Sequence, residues 1–205
     1  MGNYNDTLME QLADHGNGFY AYVDDINEAE HLFLNNLTST LQTIALDAKV
    51  QVDFNPEVVA RYRLVGYENR DIADEDFRNN NVDAGEIGAG HSVTALYEIK
   101  LQRGAEGRIA TVLLRWQDPE TRQVTELSQD FNTEQMARSF EKANPYFQWD
   151  VVVAEYAEIL RESYWAEESP LRDVLREAER ISEYMDRDPA VEEFIDLVRQ
   201  ANRLY

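Results

Sequence analysis

The 205-residue chain holds 40 Asp and Glu against 19 Lys and Arg, a formal charge of −21 that repels phosphate backbones and excludes the basic footprint of a nucleic-acid binder. A composition 43% hydrophobic and 11% aromatic predicts a packed core, in one large domain or two small ones. Zero Cys excludes disulfides, thiolate metal sites and a Cys nucleophile, and no apolar run approaches the ~20 residues of a membrane span.

Residues 5–16 carry a capping Asn, an apolar face of Leu8, Met9 and Leu12, and a closing Gly, which predicts a short helix. Gly18-Phe19-Tyr20-Ala21-Tyr22-Val23 is aromatic and β-branched and predicts a buried strand. From Ile26 the apolar residues Ala29, Leu32, Phe33, Leu37, Leu41 and Ile44 recur at three- and four-residue steps, the pattern of a long amphipathic helix. Helix, strand, helix is a remnant of an α/β domain over residues 1–46. A lone strand leaves both edges unpaired, so strand 18–23 is expected either to pair with the sandwich or to pair across a homodimer.

Period-two alternation begins at Lys49. Strands are predicted over 49–54, 60–67, 91–101, 108–116 and 123–129, with Gly85, Gly88 and Gly90 bending the approach to the third. Asp118-Pro119-Glu120-Thr121 makes the turn between the last two. Strands joined by hairpins with no helix between them predict a small antiparallel β-sandwich over 47–131. Residues 132–205 then read as a helical bundle. Asn132 and Gln135 stand at capping-box spacing, Met136 and Phe140 form a stripe ended by Asn144-Pro145, and a helix runs from Gln148 to Trp165. Ser169-Pro170 and Asp188-Pro189 each start a further helix, lined by Leu171, Val174, Leu175, Ala178, Ile181 and Met185, and by Val191, Phe194, Ile195, Val198 and Ala201. The fold class is α+β.

The richest set of oxygen ligands is the acidic stretch 68–86, whose calcium candidates are Asp74, Asp76, Asp83 and Glu86. An EF-hand register starting at Asn79 places Ala84 at the turn Gly and Gly90 at the bidentate Glu, so that register fails and a solvated acidic loop is favoured. Asp74 with Glu86 could serve acid/base hydrolysis, although nothing in the sequence sets them across a cleft. His15, His31 and His91 lie in three different elements, and except for Asn27 and Glu28 near His31 none has a ligand at helical metal-motif spacing, so metal binding is the weak reading. Trp116, Trp149 and Trp165 are interaction candidates, as stacking surfaces for a peptide or glycan, against a reading in which they pack internally. No Gly-x-Ser-x-Gly, Gly-x-x-x-x-Gly-Lys or His-Glu-x-x-His occurs, so the expectation is a protein that is not an enzyme and has no cofactor in this chain.

Residues 3–24, Asn-Tyr-Asn-Asp-Thr-Leu-Met-Glu-Gln-Leu-Ala-Asp-His-Gly-Asn-Gly-Phe-Tyr-Ala-Tyr-Val-Asp, resemble the end of a bacterial von Willebrand factor type A domain. Phe54-Asn55-Pro56, the run from Tyr62 to Arg70 and the run from Asp83 to His91 resemble the uncharacterised C-terminal extension that follows it in a group of bacterial proteins. The resemblance implies that residues 18–23 and 25–45 are the last strand and helix of a doubly wound sheet, and that the chain is the C-terminal part of a longer protein. Such domains bind magnesium through an Asp-x-Ser-x-Ser loop, absent here, so magnesium would belong to the missing part and no metal-binding role passes to this chain. A non-catalytic interaction or adhesion-type module is thereby implied, its partner a protein or its own A domain, in an extracytoplasmic location, periplasm or cell surface. The alternative is a carbohydrate- or cation-binding surface domain using loop 68–86 or the Trp residues.

Overall fold

The computed structural model describes residues 5–15, 20–23, 26–30, 32–33, 42–66, 73–80, 82 and 84–204. Two helices come first, α1 (Asp6–His15) and α2 (Ile26–Glu30). Six strands follow, β1 (Thr43–Phe54), β2 (Val59–Val65), β3 (Gly85–Gly88), β4 (Leu96–Leu101), β5 (Arg108–Gln117) and β6 (Val124–Asn132). The chain then turns helical in α3 (Pro145–Leu160), α4 (Leu171–Ser182) and α5 (Pro189–Leu204). The class is α+β, as the sequence predicts.

The chain divides into two compact units that interleave along the sequence. The first comprises Met1–Val59, Asp71–Val93 and Gln102–Thr133; the second comprises Ala60–Arg70, Thr94–Leu101 and Glu134–Tyr205. In the first, the sheet runs in the order β3-β1-β5-β6 with every neighbouring pair antiparallel. The second unit takes the two-stranded sheet β2-β4 and the three C-terminal helices.

α1 forms where the sequence predicts it, with the Asn5 side chain accepting from the Leu8 N–H at 3.1 Å. The strand expected over 18–23 is a correction at Tyr20–Val23, which join no ladder, while Gly18 and Phe19 lie outside the described residues. A β-strand is defined by pairing with a neighbouring strand, which an aromatic and β-branched composition alone does not supply. The long helix of 26–44 holds as α2 at its start, whereas Ile44 belongs to β1; residues 34–41 lie outside the described residues. Ile44, Leu46, Ala48, Val50, Val52 and Phe54 continue one period-two alternation, and that pattern outweighs the helical spacing at Ile44.

β3 occupies a Gly-rich segment expected only to bend, because pairing with β1 at Thr43↔Gly88, Ala45↔Ile87 and Ala48↔Gly85 overrides its poor intrinsic preference. The strand predicted over 91–101 is confined to Leu96–Leu101. The turn after β5 is built as predicted. The Asp118 carboxylate accepts from the Glu120 and Thr121 N–H groups at 3.0 and 2.7 Å, and the Thr121 hydrogen bonds hold its pKa below the ordinary range.

The helix expected after Asn132 is replaced by two single 3-10 turns, Thr133–Gln135 and Phe140–Lys142. Asn144-Pro145, read as a terminator, instead opens α3: Asn144 Oδ1 accepts from the Tyr146 N–H at 2.9 Å, and Pro145 takes the first helical position. Asp188-Pro189 does the same for α5, with Asp188 Oδ1 accepting from the Ala190 N–H at 2.9 Å. α4 starts one residue later than predicted, with Pro170 in the cap position. The core of this unit is Val152, Val174, Ala178, Ile181, Val191, Ile195 and Val198, surrounded by Phe140, Trp149, Tyr156, Ile159, Leu175, Met185 and Phe194. Both predicted helix stripes, 171–185 and 191–201, therefore face it.

Candidate functional site

The four-stranded sheet has two unlike faces, and the register assigns each side chain to one of them. Val50, Val52 and Phe54 of β1 lie opposite Leu114, Val112 and Ala110 of β5, which lie opposite Leu127, Gln129 and Phe131 of β6. Directly opposed residues share a face and successive residues alternate, so Val50, Val52, Val112, Leu114, Trp116, Leu127 and Phe131 all project to the same side. That side is open: Val50 is 58% and Leu127 57% exposed, and Val112, Leu114 and Phe131 are exposed as well. An apolar sheet face of this kind marks an interaction surface more often than an accident of composition.

The opposite face is mostly polar, and it is covered around Lys49 and Arg115. A bulge in β1, with Asp47 in the left-handed region at φ 49°, shifts the register against β5 between Leu46 and Lys49. Beyond it Lys49 lies opposite Arg115, and both are buried, Lys49 to 3% exposure. Two cations side by side need oxygen around them. The segment 74–80 supplies it. Lys49 Nζ donates to the carbonyls of Asp76 (3.3 Å) and Asn79 (2.8 Å), and Arg115 donates to Asn80 Oδ1. Gln51 Nε2 donates to Asp74 Oδ1 at 2.9 Å, and Arg78 makes a two-pronged pair with Glu126 at 3.1 and 2.6 Å. The Arg78 guanidinium, helped by Arg115, holds the Glu126 carboxyl below the usual glutamate range. The segment is a strap tied by four side chains to the polar face.

The second unit has its own cluster at the end of α3. Glu158, 4% exposed, pairs with Arg161 at 2.7 Å and Arg63 at 3.4 Å, and accepts from Ser163 Oγ at 2.8 Å. Arg63, on β2, also grips Glu98 of β4 with two hydrogen bonds at 2.7 and 2.9 Å. Those bonds, with the nearby Glu158, raise the Arg63 pKa and fix its charge. Its guanidinium lies 4.7 Å from the Trp165 ring centroid, and Tyr164 meets Trp165 edge-on at 5.4 Å. The α3 terminus makes the approach: the Glu162 N–H donates to Ile159 O (3.0 Å) and the Ser163 N–H to Glu158 O (2.9 Å), a Schellman closure with Glu162 at φ 55°.

The sequence-predicted site residues are spread by the fold rather than gathered. Trp116 stands on the open apolar face of the sheet. Trp149 is a core residue, edge-on to Phe194 at 5.2 Å. Trp165 is 59% exposed beside Arg63. Asp74 and Asp76 lie in one 3-10 turn, where the Asp74 carboxylate accepts from Gln51 and that of Asp76 accepts from Asn79 at 2.9 Å. Glu86 is on β3, and Asp83 lies outside the described residues. Among the described residues no group of three or more His, Asp and Glu is placed to hold a metal ion, and no helix is long and apolar enough to cross a membrane. Sequence reasoning missed Leu114 and Leu127, whose alternation is visible but reads equally well as an inward face.

An α+β chain with an interleaved sheet unit and helical unit is the class this architecture defines. The chain matches, over residues 39–108 and 101–204, the family described as "Uncharacterized protein YfbK, C-terminal", and it belongs to that family. It is 46% identical over 99 residues to the Escherichia coli (strain K12) protein named "Uncharacterized protein YfbK". The matched stretch is 48% of this chain and 17% of that relative. No solved structure matches the chain.

Proposed function

We propose that this chain is a non-catalytic interaction module, the C-terminal part of a protein whose preceding portion is a von Willebrand A-type domain, and that its open sheet face is the docking surface for that portion. The observation that carries the proposal is the inverted sheet: residues 74–80 are strapped to the polar face, while Val50, Val112, Leu114, Leu127 and Phe131 stay exposed on the other, beside the half-buried Trp116. Residues 3–24 resemble the end of an A domain, and the module's first strand begins only at Thr43, so the two parts are tethered at high effective concentration. The relative, of which the matched stretch is a small fraction, is consistent with such a module being one part of a longer protein.

The test is a calorimetric titration of this chain with the separately produced A-type portion of the same gene product. Saturable binding is expected, together with its loss in Leu127→Glu. Because Leu127 is already in water on an edge strand, that change should leave folding stability within about 0.5 kcal/mol. Binding that survives Leu127→Glu and Leu114→Glu, or no binding at all, would refute the assignment.

A further inference from the structure

Outside the sheet unit, the helical unit has a groove between α3 and α4, about 340 Å³ in volume. Phe140, Val151, Val152 and Val174 form its apolar floor, and carboxylates stand round its rim. Two of these, Asp173 and Glu177, are engaged by Arg176 at 2.8 and 3.4 Å, and Glu177 also by Arg180 at 2.8 Å. The other two, Glu155 on α3 and Glu168 in the turn before α4, have no cation partner among the described residues, and Glu155 is half-buried.

We infer that this groove docks a short helical peptide segment of a partner protein, one that seats an aliphatic side chain on the floor and carries Lys or Arg on either side of it. The volume suits one or two aliphatic side chains, and removing them from water drives the contact. Charge decides which peptide enters. Glu155 and Glu168 have no cation partner among the described residues, so a basic partner gains there, whereas an acidic one meets repulsion from both carboxylates and from a chain of net charge −21. This site is separate from the sheet face, and neither proposal requires the other.

The probe is a fluorescein-labelled helical peptide with two leucines one turn apart and flanking lysines, titrated with the full chain near physiological salt. A second peptide keeps the lysines and replaces both leucines by serine, which separates groove binding from bulk attraction to an acidic protein. Saturable binding of the first peptide is expected. Glu155→Gln combined with Glu168→Gln should weaken it about tenfold, and methyl shifts should concentrate at Val151, Val152 and Val174. Glu192→Gln with Glu193→Gln, on exposed positions of α5 and with the same charge change, should leave it unaltered. Equal binding of the serine peptide, equal weakening by both variant pairs, or no saturation would overturn the inference. A self-association of the chain that is abolished by Val151→Glu would also overturn it, by assigning the groove to a second copy. Failure here with Leu127-dependent binding intact would remove the groove alone and leave the sheet-face proposal standing.

Discussion

Glu162 shows how one residue in an unfavourable conformation can hold a cluster together. Its φ of 55° is a left-handed value that costs an L-residue about 1 to 2 kcal/mol, and glycine adopts it freely. The conformation is kept because the closure of α3 depends on it, and that closure brings Ser163 onto Glu158 and Trp165 beside Arg63. Glu162→Gly relieves the strain but gives the unfolded chain more freedom, so a net stabilisation of about 0.5 to 1 kcal/mol is expected by urea unfolding. A destabilisation would mean that the Glu162 side chain itself supports the fold. None of this was legible in the sequence, where the helix was expected to run on to Trp165: helix ends normally announce a left-handed cap with Gly or Asn, and Glu162 is neither.

At the scale of the element, the strap over residues 74–80 turns an acidic segment into part of the sheet. Its carboxylates were candidates for calcium on composition alone. Composition cannot reveal that the Asp76 carbonyl receives Lys49 or that the Asp74 carboxylate receives Gln51, because those partners lie 27 and 23 residues away. The Arg78–Glu126 pair gives this arrangement a pH dependence. Glu126 binds its proton less readily in the folded chain than in the unfolded one, so its contribution is present above the unfolded pKa and is lost as pH falls through the lowered folded value. Arg78→Met should therefore be less stable than the parent at pH 7, with the gap narrowing on acidification below about pH 4.5. A gap that stays constant into acid would show that the pair contributes nothing ionic. Elements with their own periodic pattern were readable: both stripes of α4 and α5 reach the core as the spacing requires, and Asp188-Pro189 starts α5 where the capping rule puts it. β3 was not, since its glycines have no strand preference and it exists through its pairing with β1.

For the whole molecule, the sequence supports the α+β class and the helical end, but not the interleaving of two units or the orientation of the sheet. Alternation says that Val50, Val52 and Phe54 share a face with one another; it does not say whether that face is covered. Only the placement of Lys49, Arg115 and the strap on the opposite side shows that the apolar face is the open one. The candidate Trp residues likewise separate only in three dimensions, with Trp149 in the core, Trp116 on the sheet face and Trp165 beside Arg63. The central claim is that the open face meets the preceding portion of the protein. Hydroxyl-radical footprinting of Leu114, Trp116, Leu127 and Phe131, in this chain and in the longer protein containing it, tests that claim most directly. Protection of these four side chains in the longer protein, with Trp165 oxidised equally in both, is the predicted result; equal oxidation of the sheet face in both would contradict it.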